Sequence, residues 1–362
     1  MIRGAVAYAR GTAHIRTGKD NEDAYCVIPL DEHLWIAAAA DGVGSAAHAQ
    51  EASTVAVDAV CQFLCEKLLT DPTARDPARM KDLLETAYTH ALTAIRAQAE
   101  RDRRPLSEYE TTLMAVIYDG RRCFYANAGD GGIVALRSRD GTYTELTVRQ
   151  RTDDGCVIPL SAGRSSWQIG ESEEELSCVC MATDGMMDRL RLPLGQGFYV
   201  PLMMLFADPH TVRFLQRAGV RHSQLAENPR TVSRQLVCRA ICHALRRYGM
   251  RRATVRHIVE TVRGGALFDA LESVTDDKTV VSLFCTGAAV RAREPGYYAE
   301  PDWAGIRAAR QAILYPTLGR DGEGEADAPT ASAPADGNGA TQGSRPLASA
   351  LKRLLRIRKR HG

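Results

Sequence analysis

Two apolar runs in this 362-residue chain end directly on an aspartate–glycine pair: WIAAAADGVGS, with Asp41 and Gly42, and CVCMATDGMMD, with Asp184, Gly185 and Asp188. A run of this kind reads as a buried strand that carries a charged side chain at its end, a rigid base for such a group. The placement recurs at Gly129-Asp130-Gly131 and, without the adjacent glycine, at Asn21-Glu22-Asp23 and Asp276-Asp277. A glycine beside the acid lets a ligand or a metal-bound water approach the backbone. Carboxylates gathered without matching basic residues repel one another, so a fold that joins these strand ends calls for cations. All-oxygen donors favour Mg²⁺ or Mn²⁺, and two such ions about 3.5–4 Å apart can ionise a water and polarise a phosphoryl oxygen. Asp119-Gly120 and Asp140-Gly141 read only as turns, and Glu173, Glu174 and Glu175 as a solvated face.

The rest of the chain constrains the scaffold. Hydrophobic residues make up 45% and charged residues 25%, enough for a sizeable core. The net charge of +2 argues against DNA binding by bulk electrostatics. No apolar run is long enough to span a bilayer and the N-terminus lacks a signal-peptide pattern, so a cytoplasmic location is expected. The ten cysteines have no zinc-ligand spacing and read as small apolar side chains in a reducing compartment. Strands are expected near residues 5–10, 24–29, 34–40, 112–118, 122–127, 132–137, 143–147, 175–183 and 279–286, with long helices at 46–69 and 79–100. Residues 192–274 read as mostly helical, and the cluster from Val200 to Phe206 as core. Strands that follow one another through tight turns, with helices inserted early, indicate an α+β fold of layered antiparallel sheets.

These motifs, in order, resemble those of the metal-dependent protein phosphatase 2C family, its bacterial branch in particular. The matching stretches are GTAHIRTGKDNEDAYCV (11–27), AAAADGVGSAAHAQEAS (37–53), TTLMAVIYDGRRCFYANAGDGG (111–132), MATDGMMDRL (181–190) and VTDDKTVVSLF (274–284). The resemblance implies a four-layer α-β-β-α sandwich, two antiparallel sheets flanked by helix pairs, within a catalytic domain over residues 1–290. It also implies two Mg²⁺ or Mn²⁺ ions and a metal-bridging hydroxide that hydrolyses phosphoserine or phosphothreonine. Carried over by motif position, Asp41 would bridge both metals and Gly42 would offer its carbonyl to one. Asp184 and Asp276 would complete the shell of the other, with Glu22 and Asp23 holding the ions directly or through water. Asp130 and Asp188, with Asp184, match the residues that bind a third, weaker metal in some members. The implied partners are a phosphorylated protein substrate and a cognate Ser/Thr kinase.

Two departures stand out. Where many relatives carry a phosphate-gripping arginine, this chain has Gly18, and Arg16 and Lys19 are the nearest substitutes. No histidine follows Asp41-Gly42; His14 or His48 could protonate the leaving group, a metal-bound water could do so instead, and each histidine also reads as an ordinary one, while Ser45 reads as the cap of a helix beginning at Ala46. The missing arginine supports a rival reading: a weak or inactive phosphatase-fold module that binds phosphoproteins in signalling. A phosphatase for small phosphoesters is a third. The helical insertion, about residues 191–274, carries Arg213, Arg217, Arg221, Arg246, Arg247, Arg251 and Arg252, a basic set suited to a phosphoprotein. Residues 291–318 read as an extension on or near the domain. Residues 319–346 have no Leu, Ile, Val, Met or aromatic residue and read as a disordered linker. Residues 347–362 read as a basic amphipathic helix, with leucines at helical spacing among Lys352, Arg353, Arg356, Arg358, Lys359 and Arg360. Such a helix suits an acidic partner, RNA or an anionic membrane surface; in the last case it would place the protein at the membrane periphery, though one short helix needs a second signal for stable anchoring.

Overall fold

The computed structural model describes residues 1–262 and 266–314. The chain divides into a unit of Met1–Arg310 and a second, Gln311–Gly362, of which 311–314 are described. The expected linker 319–346, the basic helix 347–362 and the last residues of the extension, 315–318, lie outside the described residues.

Ten strands are described: β1 (Ile2–Ala9), β2 (Asp23–Pro29), β3 (Trp35–Asp41), β4 (Leu113–Tyr118), β5 (Cys123–Ala128), β6 (Gly132–Arg137), β7 (Tyr143–Glu145), β8 (Gln168–Glu171), β9 (Leu176–Ala182) and β10 (Lys278–Cys285). They form two five-stranded sheets, ordered β1-β10-β9-β6-β7 and β2-β3-β4-β5-β8, in which every pairing is antiparallel. Helices α1 (Thr12–Thr17), α2 (Ala49–Thr70) and α3 (Met80–Asp102) come early. The insertion contributes α4 (Asp184–Leu190), α5 (Val200–Ala207), α6 (Pro209–Arg217), α7 (His222–Glu227), α8 (Arg234–Arg247), α9 (Arg252–Val262) and α10 (Ala266–Glu272), and α11 (Trp303–Leu314) follows the last strand.

Strand β3 shows why the sequence stacks in layers. Alternate side chains point to opposite faces. Ile36, Ala38 and Ala40 pack with Val57, Leu64, Leu84 and Tyr88 of α2 and α3, while Ala37 and Ala39 pack against Met181, Val281 and Leu283 of the other sheet. A strand buried on both faces reads as a continuous apolar run, and its four alanines are narrow enough for a helix on one side and a sheet on the other. The first sheet is covered on its outer face by one core that includes residues of α4 to α10. The architecture is the expected four-layer α-β-β-α sandwich, with the layer on this sheet broader than the α2–α3 pair. All eight residues of α5 are buried, as expected for core. No helix among the described residues is long and apolar enough to cross a membrane.

Three local features differ from expectation. Helix α2 begins at Ala49, with His48 at its N-cap and no side-chain cap; Ser45 is exposed in a turn closed by the Ala46 N–H donating to the Val43 carbonyl at 2.7 Å. Strand β8 is a short edge strand of mixed polarity that pairs with β5. Helix α1 is six residues long and is ended by Gly18 at a φ of 73°.

The turn between β3 and α2 depends on Gly42. A Cβ there would lie 2.5 Å from the Ala49 carbonyl oxygen and 2.6 Å from its carbon, both backbone atoms that cannot swing away. Gly42→Ala is expected to lower stability by about 1–3 kcal/mol, the cost of forced overpacking. Gly287→Ala, where nothing lies within 4 Å of the new Cβ, is expected to change it by less than about 0.5 kcal/mol; urea unfolding of the two variants checks the contrast.

Candidate functional site

Strand register sets the centre of the site. Asp23 opens β2 and Asp41 closes β3, and the two are direct partners across the antiparallel pair. From the other sheet, β9 ends at Ala182 and leads into α4, whose first residue is Asp184, and β10 starts beside Asp276 and Asp277. The turn between β5 and β6 brings Asp130. Glu22, Asp41, Gly42, Asp130, Asp184 and Asp276 line one cavity of about 180 Å³, with His14, Thr112 and Arg151. Asp23, 3% exposed, is not among the lining residues. Asp188 is exposed on α4 and is also absent from the lining.

Two threonines hold the end of β3. The Thr112 Oγ1 accepts from the Asp41 N–H at 2.9 Å and the Thr111 hydroxyl donates to the Asp41 carbonyl at 3.0 Å. Asp277, buried beside Asp276, is a second anchor. Its Oδ1 accepts from the Gly11 N–H at 2.6 Å, and its Oδ2 accepts from the Glu22 N–H at 2.6 Å and lies 2.9 Å from His14 Nδ1. One carboxyl therefore ties α1, the start of β2 and the start of β10 together. His14 in turn places Nε2 3.6 Å from Glu22 Oε2.

The electrostatics follow from this crowding. Burial, then the charges of Asp23, Asp184 and Asp276, push the Asp41 carboxyl well above the usual carboxylate range, and Asp41 shares a hydrogen bond with Asp184. Burial likewise raises Asp23, with the charges of Asp277 and Asp184 adding to it. Asp184 is raised by burial and by the charges of Asp130 and Asp276. Asp23 Oδ2 accepts from the Thr183 hydroxyl at 3.0 Å, whereas its Oδ1 is buried with no hydrogen-bond partner among the described residues.

Basic side chains answer part of this charge, and they are not the ones expected. Arg151 places Nε 2.7 Å from Asp130 Oδ2 and a terminal nitrogen 3.0 Å from Asp184 Oδ2. Arg149 pairs with Asp188 at 2.8 Å and reaches Asp130 and Asp184 at 3.7 and 3.9 Å. Neither Arg16 nor Lys19 lines the cavity: Arg16 is exposed and bonds to the Thr12 carbonyl, and Lys19 pairs with Glu22 at 3.1 Å. His14 lies in the cavity wall, while His48 stacks on Tyr109 elsewhere. Arg149 and Arg151 sit in the connection between β7 and β8. Their alternation in TVRQRTDDG is the one sequence sign of them, and it gives no hint of which acids they meet.

Among the described residues, no three Asp, Glu, His or Cys side chains form a ligand group around one point. The donor set itself fits a hard divalent cation. It is all oxygen, its carboxyls resist ionisation in each other's company, and one buried carboxylate oxygen of Asp23 is left without a partner.

Residues 10–228 match the family described as protein phosphatase 2C. No curated protein matches the chain. Solved structures similar to it include a bacterial serine phosphatase at 13% identity, over 79% of this chain and 98% of that one, with a TM-score of 0.46. The serine/threonine phosphatase PstP/Ppp of Mycobacterium tuberculosis is 18% identical, over 80% and 99%, with a TM-score of 0.42. Stp1 of Staphylococcus aureus is 12% identical, over 78% and 95%, with a TM-score of 0.44.

Removing the Asp277 carboxyl leaves two buried backbone N–H groups without an acceptor. Asp277→Ala is expected to lower the unfolding free energy by about 2–5 kcal/mol, and Asp277→Asn, which keeps one acceptor oxygen, by less. A loss below about 0.5 kcal/mol in urea for Asp277→Ala would contradict the anchoring role.

Proposed function

This chain belongs to the protein phosphatase 2C family, and from that premise we propose that it is a metal-dependent serine/threonine protein phosphatase. The observation that carries the reading is the cross-strand pair Asp23 and Asp41, with Asp184 delivered opposite by the second sheet. An array of like charges costs folding energy, which a protein with no use for cations has no reason to bear. Asp41 is assigned the central position, with Glu22, Asp23, the Gly42 carbonyl, Asp184 and Asp276 as the groups that would hold Mg²⁺ or Mn²⁺. When bound, the ions supply an ionised water and a Lewis acid for the phosphoryl oxygens.

The chain's own residues would do the rest. Arg151, at the cavity wall beside Asp130 and Asp184, is assigned to grip the phosphate dianion, the role for which Gly18 offers no side chain. Arg149 pairs with Asp188 and reaches Asp130 and Asp184, so we assign its guanidinium the place that a third cation takes in some relatives. His14, held through Nδ1 by Asp277 and lining the cavity, is assigned to protonate the leaving serine or threonine oxygen. A phosphoprotein made by a Ser/Thr kinase is the substrate this reading takes.

The rival, a module that binds phosphoproteins without turning them over, draws on the same arginines. A guanidinium already seated between Asp130 and Asp184 neutralises two of the acids without a metal. Hydrolysis of a phosphothreonine peptide separates the readings. The phosphatase reading expects Mn²⁺-dependent turnover that EDTA abolishes, a loss of at least about a hundredfold in kcat/KM for Asp41→Asn and Asp184→Asn, and a raised KM for Arg151→Ala. Phosphopeptide binding without turnover would select the rival. Faster turnover of small phosphoesters than of phosphopeptides would change the substrate class.

A further inference from the structure

A second cavity, about 560 Å³, opens between α6 and α8 and shares no lining residue with the carboxylate cavity. Its wall includes His210, Arg213, Phe214, Arg217, His243 and Arg247, and no acidic residue lines it. The helical repeat explains the convergence. Residues four apart lie on one face, which places Arg213 over Arg217 on α6 and His243 over Arg247 on α8. The opposite faces are spent on the core through Val212 and Leu215 and through Val237, Ile241, Ala244 and Leu245. The two basic pairs thus meet across the seam of the packed helices.

Such a grouping is unfavourable by itself, since like charges at this spacing destabilise a helix. Several arginines elsewhere find carboxylates: Arg121 pairs with Glu175, Arg164 with Glu85, and Arg230 with Asp269 and Glu272. Arg213, Arg217 and Arg247 have no ion-pair partner among the described residues. The acid that precedes α6, Asp208, is buried and already engaged. It caps α6 by accepting from the Thr211 N–H at 2.7 Å and also accepts from the Tyr248 hydroxyl. Beside the guanidiniums stands an aromatic wall, with the Phe214 and His243 rings 5.3 Å apart. The cavity volume falls within the roughly 300–1,000 Å³ of small-molecule sites.

We infer that this cavity binds a phosphorylated small molecule of at least two negative charges, its phosphates on Arg213, Arg217 and Arg247 and its organic body against Phe214 and His243. Guanidinium groups favour phosphate by forked, charge-assisted hydrogen bonds, and the ring pair offers a face to a planar or apolar body. The inference does not depend on the phosphatase reading, because none of these residues belongs to the carboxylate cavity.

Isothermal titration calorimetry of the full chain in EDTA tests it, with inorganic phosphate, pyrophosphate, ribose 5-phosphate and ATP as probes. Pyrophosphate or ATP is expected to bind more tightly than phosphate. A preference for ATP over pyrophosphate would assign the body to a nucleoside, and a preference for ribose 5-phosphate to a sugar. Arg217→Gln and Arg247→Gln alter exposed side chains and are each expected to weaken binding by about tenfold or more. Arg221→Gln, outside the cavity, and Arg151→Gln, in the other one, are expected to leave it unchanged. The inference is overturned by any of four results: no heat from any probe at millimolar concentration; binding unaffected in the Arg217/Arg247 double variant; equal loss in Arg221→Gln; or tighter binding of a phosphothreonine peptide or of RNA than of every small probe.

Discussion

Asp23 and Asp41 face each other across one pair of antiparallel strands, and the rest of the structure is arranged around that repulsion. Like charges directly opposite in a sheet are destabilising, and here Asp184 and Asp276, from the second sheet, line the same cavity as Asp41. The cost shows in protonation. Burial and mutual repulsion raise Asp23, Asp41 and Asp184 above the ordinary carboxylate range. Groups raised in this way support the fold fully below the unfolded value of about 3.9 and lose that support as pH rises through their folded values. At neutral pH, without cations, the sandwich carries the repulsion of those acids that ionise, less what Arg149 and Arg151 neutralise. Its two large cores and the apolar layer between the sheets must offset it.

The backbone around the acids is built for close approach. Gly11 lies against the backbone of Asp276, Gly42 against Ala49, and Gly185 against the carbonyl of Asp277, each within 2.6 Å of where a Cβ would stand. The glycines beside Asp41 and Asp184 therefore give room to the protein's own chain, not to a ligand as their place beside the acids suggests. The effect is to bring two sheet edges and one helix start near enough to share a cavity. Asp277 and the Thr111–Thr112 pair then fix the angles at which the acids enter it.

Most of the scaffold was legible in the sequence because burial on both faces leaves an unmistakable mark. The runs ending at Asp41 and Asp184 are strands of uniform apolar character, and the acids that follow them lie at the junction of the two sheets. The edge strand Gln168–Glu171 left no such mark, since one partner strand and partial exposure place few demands on its residues. Ser45 has the chemistry of a cap but stands four residues before α2 begins. Arg149 and Arg151 were illegible for another reason. Their partners lie in the turn between β5 and β6 and on α4, far along the chain, so no local pattern records the pairing. Motif position grouped Asp188 with Asp130 and Asp184, and the structure adds that Asp188 points outward, to Arg149.

Under the proposed function, the carboxylate cluster opposes folding and bound cations would relieve it. Thermal unfolding at neutral pH, in EDTA and in Mn²⁺, of the natural protein and of Asp41→Asn tests that claim most directly. The account predicts that Mn²⁺ raises the Tm of the natural protein. It also predicts that Asp41→Asn, by removing one of the opposed charges, is the more stable of the two in EDTA and gains little from Mn²⁺. A variant less stable than the natural protein in EDTA, with an undiminished response to Mn²⁺, would contradict it.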